Sequence, residues 1–113
     1  MDSYTFGAFE GLHLVGVITL VKEKLLKLRH RANIVAMYVS PENRGLGIGK
    51  SLMLRAIKKA NDLEGIEQIN LTVVSINKSA RSLYSSLGFE VFGIEKSALK
   101  FRNTYFDEAH MVL

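Results

Sequence analysis

The 113-residue chain sets 15 lysines and arginines against 11 acidic residues, a net charge of +4, and is 48% hydrophobic with neither cysteine nor tryptophan. That length suits one domain, residues 1–113, burying about 65% of its unfolded surface. Without cysteine there is no disulfide framework, thiol nucleophile or thiolate metal site. No apolar run reaches the ~18 residues of a membrane span and no secretory pattern opens the chain, so a cytoplasmic protein is expected.

In chain order, residues 4–9 alternate as a short strand, Glu10-Gly11 turns, and the β-branched residues of 12–21 form a second strand. Residues 22–31 mix Leu25, Leu26 and Leu28 into a charged setting and are expected to extend this hairpin. A strand over 32–39 leads through Ser40-Pro41-Glu42-Asn43 into Arg44-Gly45-Leu46-Gly47-Ile48-Gly49. A helix over 50–63 follows, with Leu52, Met53, Ala56, Ile57, Ala60 and Leu63 as its buried stripe and Gly65 as its cap. Residues 69–74 read as a buried strand. A second helix over 79–87 places Ala80, Leu83, Tyr84 and Leu87 on one face and stops at Gly88. Strands over 89–94 and 105–113 close the chain, while 95–104 carries no clear pattern; Met37, Phe89 and Phe92 are expected in the core. Strands alternating with helices predict an α/β fold with a mixed, mostly antiparallel sheet.

Strand, glycine loop and helix in succession seat a diphosphate, because glycines let backbone N–H groups approach closely and a helix N-terminus adds free donors and a positive dipole end. A nucleotide-triphosphate loop requires glycine five places before Gly49-Lys50, where Arg44 stands. A dinucleotide fingerprint starting at Gly47 and Gly49 requires glycine where Leu52 stands. The pattern Arg44-x-x-Gly47-x-Gly49, following Pro41-Glu42, resembles the acetyl-CoA pyrophosphate loop of the GCN5-related N-acetyltransferases (GNAT). About thirty residues on, Asn77-x-x-Ala80-x-x-Leu83-Tyr84-x-x-x-Gly88-Phe89 resembles the family's second signature at every fixed position.

The resemblance implies acetyl transfer to a primary amine by direct attack in a ternary complex, with acetyl-CoA as donor and no metal. It places the cofactor between splayed strands at 33–39 and 69–74. Backbone groups of Met37, Tyr38 and Val39 would bond the pantetheine arm, one N–H polarising the thioester carbonyl, a class of donor worth about 10²–10³ in rate. Arg44, Gly45, Leu46, Gly47, Ile48 and Gly49 would hold the pyrophosphate through backbone amides, with Lys50 nearby. Asn77 would contact the pantetheine arm, although an Asx residue before a helix also caps it. Tyr84 would donate a proton to the departing thiolate, although its helix stripe suits an ordinary core tyrosine equally. Tyr38 fits a cleft wall or the core.

No general base is assigned. Histone-type relatives carry a glutamate eleven residues before Arg44, where this chain has Asn33. His30 lies among Lys27, Arg29 and Arg31 as an expected exposed residue, and Glu95, Asp107 and Glu108 are further carboxylates. The basic residues of 22–31 and Arg55, Lys58 and Lys59 fit solvated faces or an anionic cofactor. Without interleaved aromatics they do not suggest nucleic acid, and no membrane is indicated.

Relatives of this kind begin with a strand and one or two helices, whereas here three residues precede the 4–9 strand. A minimal or truncated member, or a second chain supplying cover, is expected, and hence a homodimer. The acceptor class is a small-molecule or peptide amine. A catalytically degenerate acetyl-CoA-binding domain is the alternative.

Overall fold

The structure, a computed structural model, describes residues 2–113 as two compact units. In the first unit, β1 (Ser3–Glu10), β2 (His13–Lys22) and β3 (Arg31–Val39) form antiparallel neighbours in that order, and α1 (Ile48–Asp62) packs on them. The 3.6-residue stripe seats as its spacing predicts, since Leu52, Met53, Ala56 and Ala60 are buried with Ile18 and Leu20 of β2. Each large side chain of this kind contributes about 1.5–3 kcal/mol when removed from water.

Gly16 on β2 fixes the approach of the helix. A Cβ there would lie 3.0 Å from Leu52 Cδ1 and 3.2 Å from both Ile48 Cγ2 and the Tyr38 carbonyl oxygen. Arg55 lies over the Phe6 ring at 5.0 Å and Lys59 over Tyr4 at 4.6 Å, while Lys58 pairs with Asp62 at 3.5 Å. Two of the helix cations expected on a solvated face therefore cover the hairpin's aromatic rings instead.

Residues 22–31 do not extend the hairpin. β2 stops at Lys22, and a single 3₁₀ turn (Leu26–Leu28) precedes β3 with Leu25 and Leu26 exposed, so these leucines have no core face to serve. Asn33 donates from Nδ2 to the Glu23 carboxylate at the start of this loop. α1 ends at Asp62 with Leu63 as its cap; Gly65, at φ +84°, turns the chain beyond the helix rather than capping it.

The second unit, Asn70–Leu113, contains most of β4 (Gln68–Val74), then α2 (Lys78–Ser86), β5 (Glu90–Phe101) and β6 (Thr104–Val112). β6 lies between β4 and β5 and runs antiparallel to both. The 95–104 stretch without a sequence pattern is mostly strand. β5 continues through it to a two-residue turn at Arg102 and Asn103, with φ of 49° and 64°. Its alternation is broken by a bulge between Glu95 and Leu99, where the Asp107 carboxylate accepts the Ser97 N–H at 2.9 Å. Phe89 is buried as expected, but Phe92 is 59% exposed: β5 has water on most of its residues, and apolar character alone did not reveal that.

Candidate functional site

The first unit brings Met37, Tyr38, Val39 and residues 44–50 into one continuous segment. At the segment's start β3 carries a bulge. Val17 pairs with Tyr38 but Thr19 pairs with Val35, so Ala36 and Met37 together oppose Ile18, and Ala36 adopts φ 55°. A bulge bends the strand and removes the extra residue from the ladder. Nothing in the apolar run at 34–39 announces it; a small alanine among β-branched residues is the only hint.

Arg44 turns back on that strand. Its Nε donates to the Val39 carbonyl at 2.9 Å and its guanidinium lies 5.7 Å from the Tyr38 ring centroid. Tyr38 is 51% exposed and so is not a core residue. Met37 is half-buried and Leu46 exposed.

Gly45 and Gly47 have φ of 81° and 83°, a region that costs other residues about 1–2 kcal/mol. A Cβ at either would meet no atom within 4 Å among the described residues. The contrast with Gly16 is informative: packing demands glycine at 16, whereas at 45 and 47 the demand comes from backbone conformation beside open space. Gly47 is the N-cap of α1 and has no side chain to bond the first turn, so the amides of Ile48, Gly49 and Lys50 face outward without a capping side chain. Free amides, the dipole end and the exposed Lys50 ammonium together suit a diphosphate.

The second unit holds Asn77 and Tyr84 at opposite ends of α2. Asn77 is the N-cap, and its Oδ1 accepts from the Ala80 N–H at 3.2 Å and the Ser79 hydroxyl at 3.3 Å. Its Nδ2 amide remains outside that pair of bonds. At the other end Gly88, at φ 102°, closes a Schellman motif: the Gly88 N–H donates to the Ser85 carbonyl at 3.0 Å and the Phe89 N–H to the Tyr84 carbonyl at 3.1 Å. The Phe89 ring packs edge-on against Tyr84, centroids 6.2 Å apart. The signature's Tyr84, Gly88 and Phe89 are thus one capping unit that fixes the tyrosine. Tyr84 is 7% exposed, and burial pushes its phenol above the ordinary value of 10.0. Such a group stays protonated throughout the neutral range and can donate to a developing thiolate.

Three of the candidate bases, His30, Glu95 and Asp107, have neighbours of their own. His30 is half-buried rather than exposed, and it lines a cleft of about 470 Å³ with Lys22, Arg29, Glu64 and Glu67. Glu95 lies 3.2 Å from His110 Nε2. The Asp107 carboxylate is held below its ordinary value by the Ser97 N–H and by Lys96. Among the described residues no three His, Asp or Glu side chains gather as a metal site. Sequence reasoning missed Glu10 and Asn43, whose bond joins the hairpin to the glycine loop; an asparagine in a turn gave no signal beyond turn propensity.

The chain matches the acetyltransferase (GNAT) family over residues 1–89, a span containing both motifs. It is 42% identical over 52 residues to the bovine (Bos taurus) thialysine N-epsilon-acetyltransferase, a match covering 46% of this chain and 30% of that enzyme. The chain spans less than a third of the length of the first curated relatives it matches. A probable acetyltransferase from Staphylococcus epidermidis superposes with a TM-score of 0.87 at 32% identity, covering 98% of this chain and 67% of that one. A putative acetyltransferase from Salmonella typhimurium, solved with its cofactor acetyl-CoA, superposes with a TM-score of 0.87 at 23% identity over 96% of this chain and 62% of that one. The α/β fold with a mixed sheet expected from the sequence is the fold of these structures. With the family matched across most of its length, the chain belongs to the GNAT acetyltransferases.

Proposed function

We propose that residues 1–113 act as one acetyl-CoA-dependent N-acetyltransferase domain, transferring the acetyl group to a primary amine of a small molecule or peptide. The observation that carries the proposal is the pair Gly45 and Gly47, held at positive φ beside open space at the uncapped start of α1. The pyrophosphate lies against the amides of residues 44–49 with Lys50 close by, and main-chain groups of Met37, Tyr38 and Val39 receive the pantetheine arm. Asn77 offers its free amide to that arm while its carbonyl oxygen caps α2.

In the reaction the amine nitrogen attacks the thioester carbonyl, the C–S bond breaks, and the CoA thiolate leaves with the proton of Tyr84. The amine's own proton passes to solvent or to a base on the acceptor side, and a proton returned from solvent restores the Tyr84 phenol. With no cysteine to carry an acyl group, direct transfer is the simplest route. The family resemblance and the bovine relative's name support an amine acceptor, and the protein works as a cytoplasmic homodimer.

The test is incubation with acetyl-CoA and a panel of primary amines, reading free thiol released and acetylated amine formed. One thiol per acetylated amine, with no acetylated protein when amine is omitted, is expected. Tight acetyl-CoA binding with no amine acetylated would favour the degenerate cofactor-binding domain.

A further inference from the structure

We infer that Glu10 and Asn43 form a clasp that holds the glycine loop in its ligand-receiving shape, making Glu10, at the end of β1, a positioning residue for acetyl-CoA binding. The inference rests on the acetyl-CoA proposal above for its ligand, but its geometry is independent of it.

Asn43 is 8% exposed while its neighbours Glu42, Arg44 and Gly45 are all exposed. A buried amide must find partners for both its oxygen and its nitrogen. The Ser40 hydroxyl donates to Asn43 Oδ1 at 2.7 Å, which turns the amide nitrogen the other way. Nδ2 then donates to Glu10 Oε2 at 3.2 Å, across 33 residues of sequence. The Asn43 N–H also donates to the Ser40 carbonyl at 2.9 Å, and the Arg44 N–H to the Pro41 carbonyl at 3.3 Å.

The glycines themselves contribute no such hold. Side-chain space at Gly45 and Gly47 is empty, and the loop's conformation is set from its two ends. At one end is α1, pinned over Gly16. At the other is the pair Asn43–Arg44, tied back to Ser40, Pro41 and Val39 and, through Glu10, to the hairpin. Glu10 is itself well placed to anchor, since it pairs with His13 across the tight Gly11 turn. The carboxylate matters for its polarity: it accepts the amide hydrogen that Asn43 points outward, and any loss of that acceptor leaves a buried donor unsatisfied.

That polarity gives a reversible test. Asn43→Asp sets a second carboxylate against Glu10, an arrangement in which both cannot ionise without cost. Glu10→Gln on that background returns a donor to face the new acceptor. Titration with acetyl-CoA should show Asn43→Asp binding about 10-fold or more weakly, and the double variant should recover to within about 3-fold of the parent. Turnover at saturating acetyl-CoA should change much less than affinity. Amide hydrogen exchange over residues 44–50, measured without any cofactor, should quicken in Asn43→Asp and slow again in the double variant.

Unchanged affinity and exchange in Asn43→Asp, or a loss that Glu10→Gln fails to restore, would overturn the clasp. A parent chain that does not bind acetyl-CoA would contradict the functional proposal alone, and the exchange data would still decide the clasp. Should Asn43→Asp not fold, Glu10→Ala at an exposed position carries the test, with faster exchange over 44–50 expected and unchanged exchange overturning it.

Discussion

The glycine loop of the first unit and the 77–89 segment of the second are built in opposite ways. Residues 44–50 offer main chain: two left-handed glycines, a helix start without a capping side chain, and exposed neighbours. Residues 77–89 offer side chains, with α2 capped at its start by Asn77 and at its end by the Gly88 turn, and Tyr84 buried against Phe89. Where backbone is the ligand-binding group, side chains must be kept away; where a side chain is the reactive group, its helix must be tied down at both ends. Substitutions should therefore break the first region through conformation and access, and the second through chemistry or capping.

The largest effect is expected at Gly47. Gly47→Glu forces a non-glycine residue to φ 83° and brings a carboxylate where a pyrophosphate is proposed, so acetyl-CoA binding should vanish from calorimetric titration while the fold survives. Tyr84→Phe sharpens the contrast. The ring keeps its packing on Phe89, so acetyl-CoA affinity and melting temperature should hold, whereas kcat should fall by about 10² or more if the phenol donates the proton. Unchanged kcat would return Tyr84 to the core.

Asn77→Ala removes a cap and should lower unfolding free energy by about 1 kcal/mol in denaturant titration. Asn77→Asp keeps the cap oxygen and loses the free amide, so a weaker affinity without a stability loss would assign that amide to the cofactor. The smallest effects are at the pH extremes. Tyr84 is raised in the fold, so the unfolded chain ionises first near pH 10.0, and stability from its neutral burial is full below that value and lost as pH rises beyond it. Asp107 is depressed, so its contribution is present above its ordinary 3.8 and lost as pH falls through its lower folded value. Far-ultraviolet dichroism against pH checks both.

The two units were unequally legible. The first helix follows from periodicity because one face is buried and the other wet, with Leu52, Ala56 and Ala60 on the buried side, whereas β4 follows from its apolar run because neighbouring residues such as Ile69 and Leu71 are buried together. The 95–104 stretch gave no pattern because its bulge breaks the two-residue alternation, and Phe92 misled because β5 is exposed along most of its length. At the site, glycines and the 77–89 signature were readable since each residue type serves a local geometry: left-handed φ, a cap, a Schellman turn. The β3 bulge at Ala36 and the Glu10–Asn43 bond were not, because both depend on which strand lies opposite. Leu25 and Leu26 show the same limit, being apolar residues whose exposure only tertiary structure decides.

The most direct measurement is calorimetric titration of the parent chain and Gly47→Glu with acetyl-CoA and, separately, ATP. If the loop is an acetyl-CoA seat, the parent should bind acetyl-CoA with micromolar affinity and ATP not detectably, and Gly47→Glu should bind neither. Equal binding of acetyl-CoA by both proteins would contradict the assignment of the cofactor to residues 44–50.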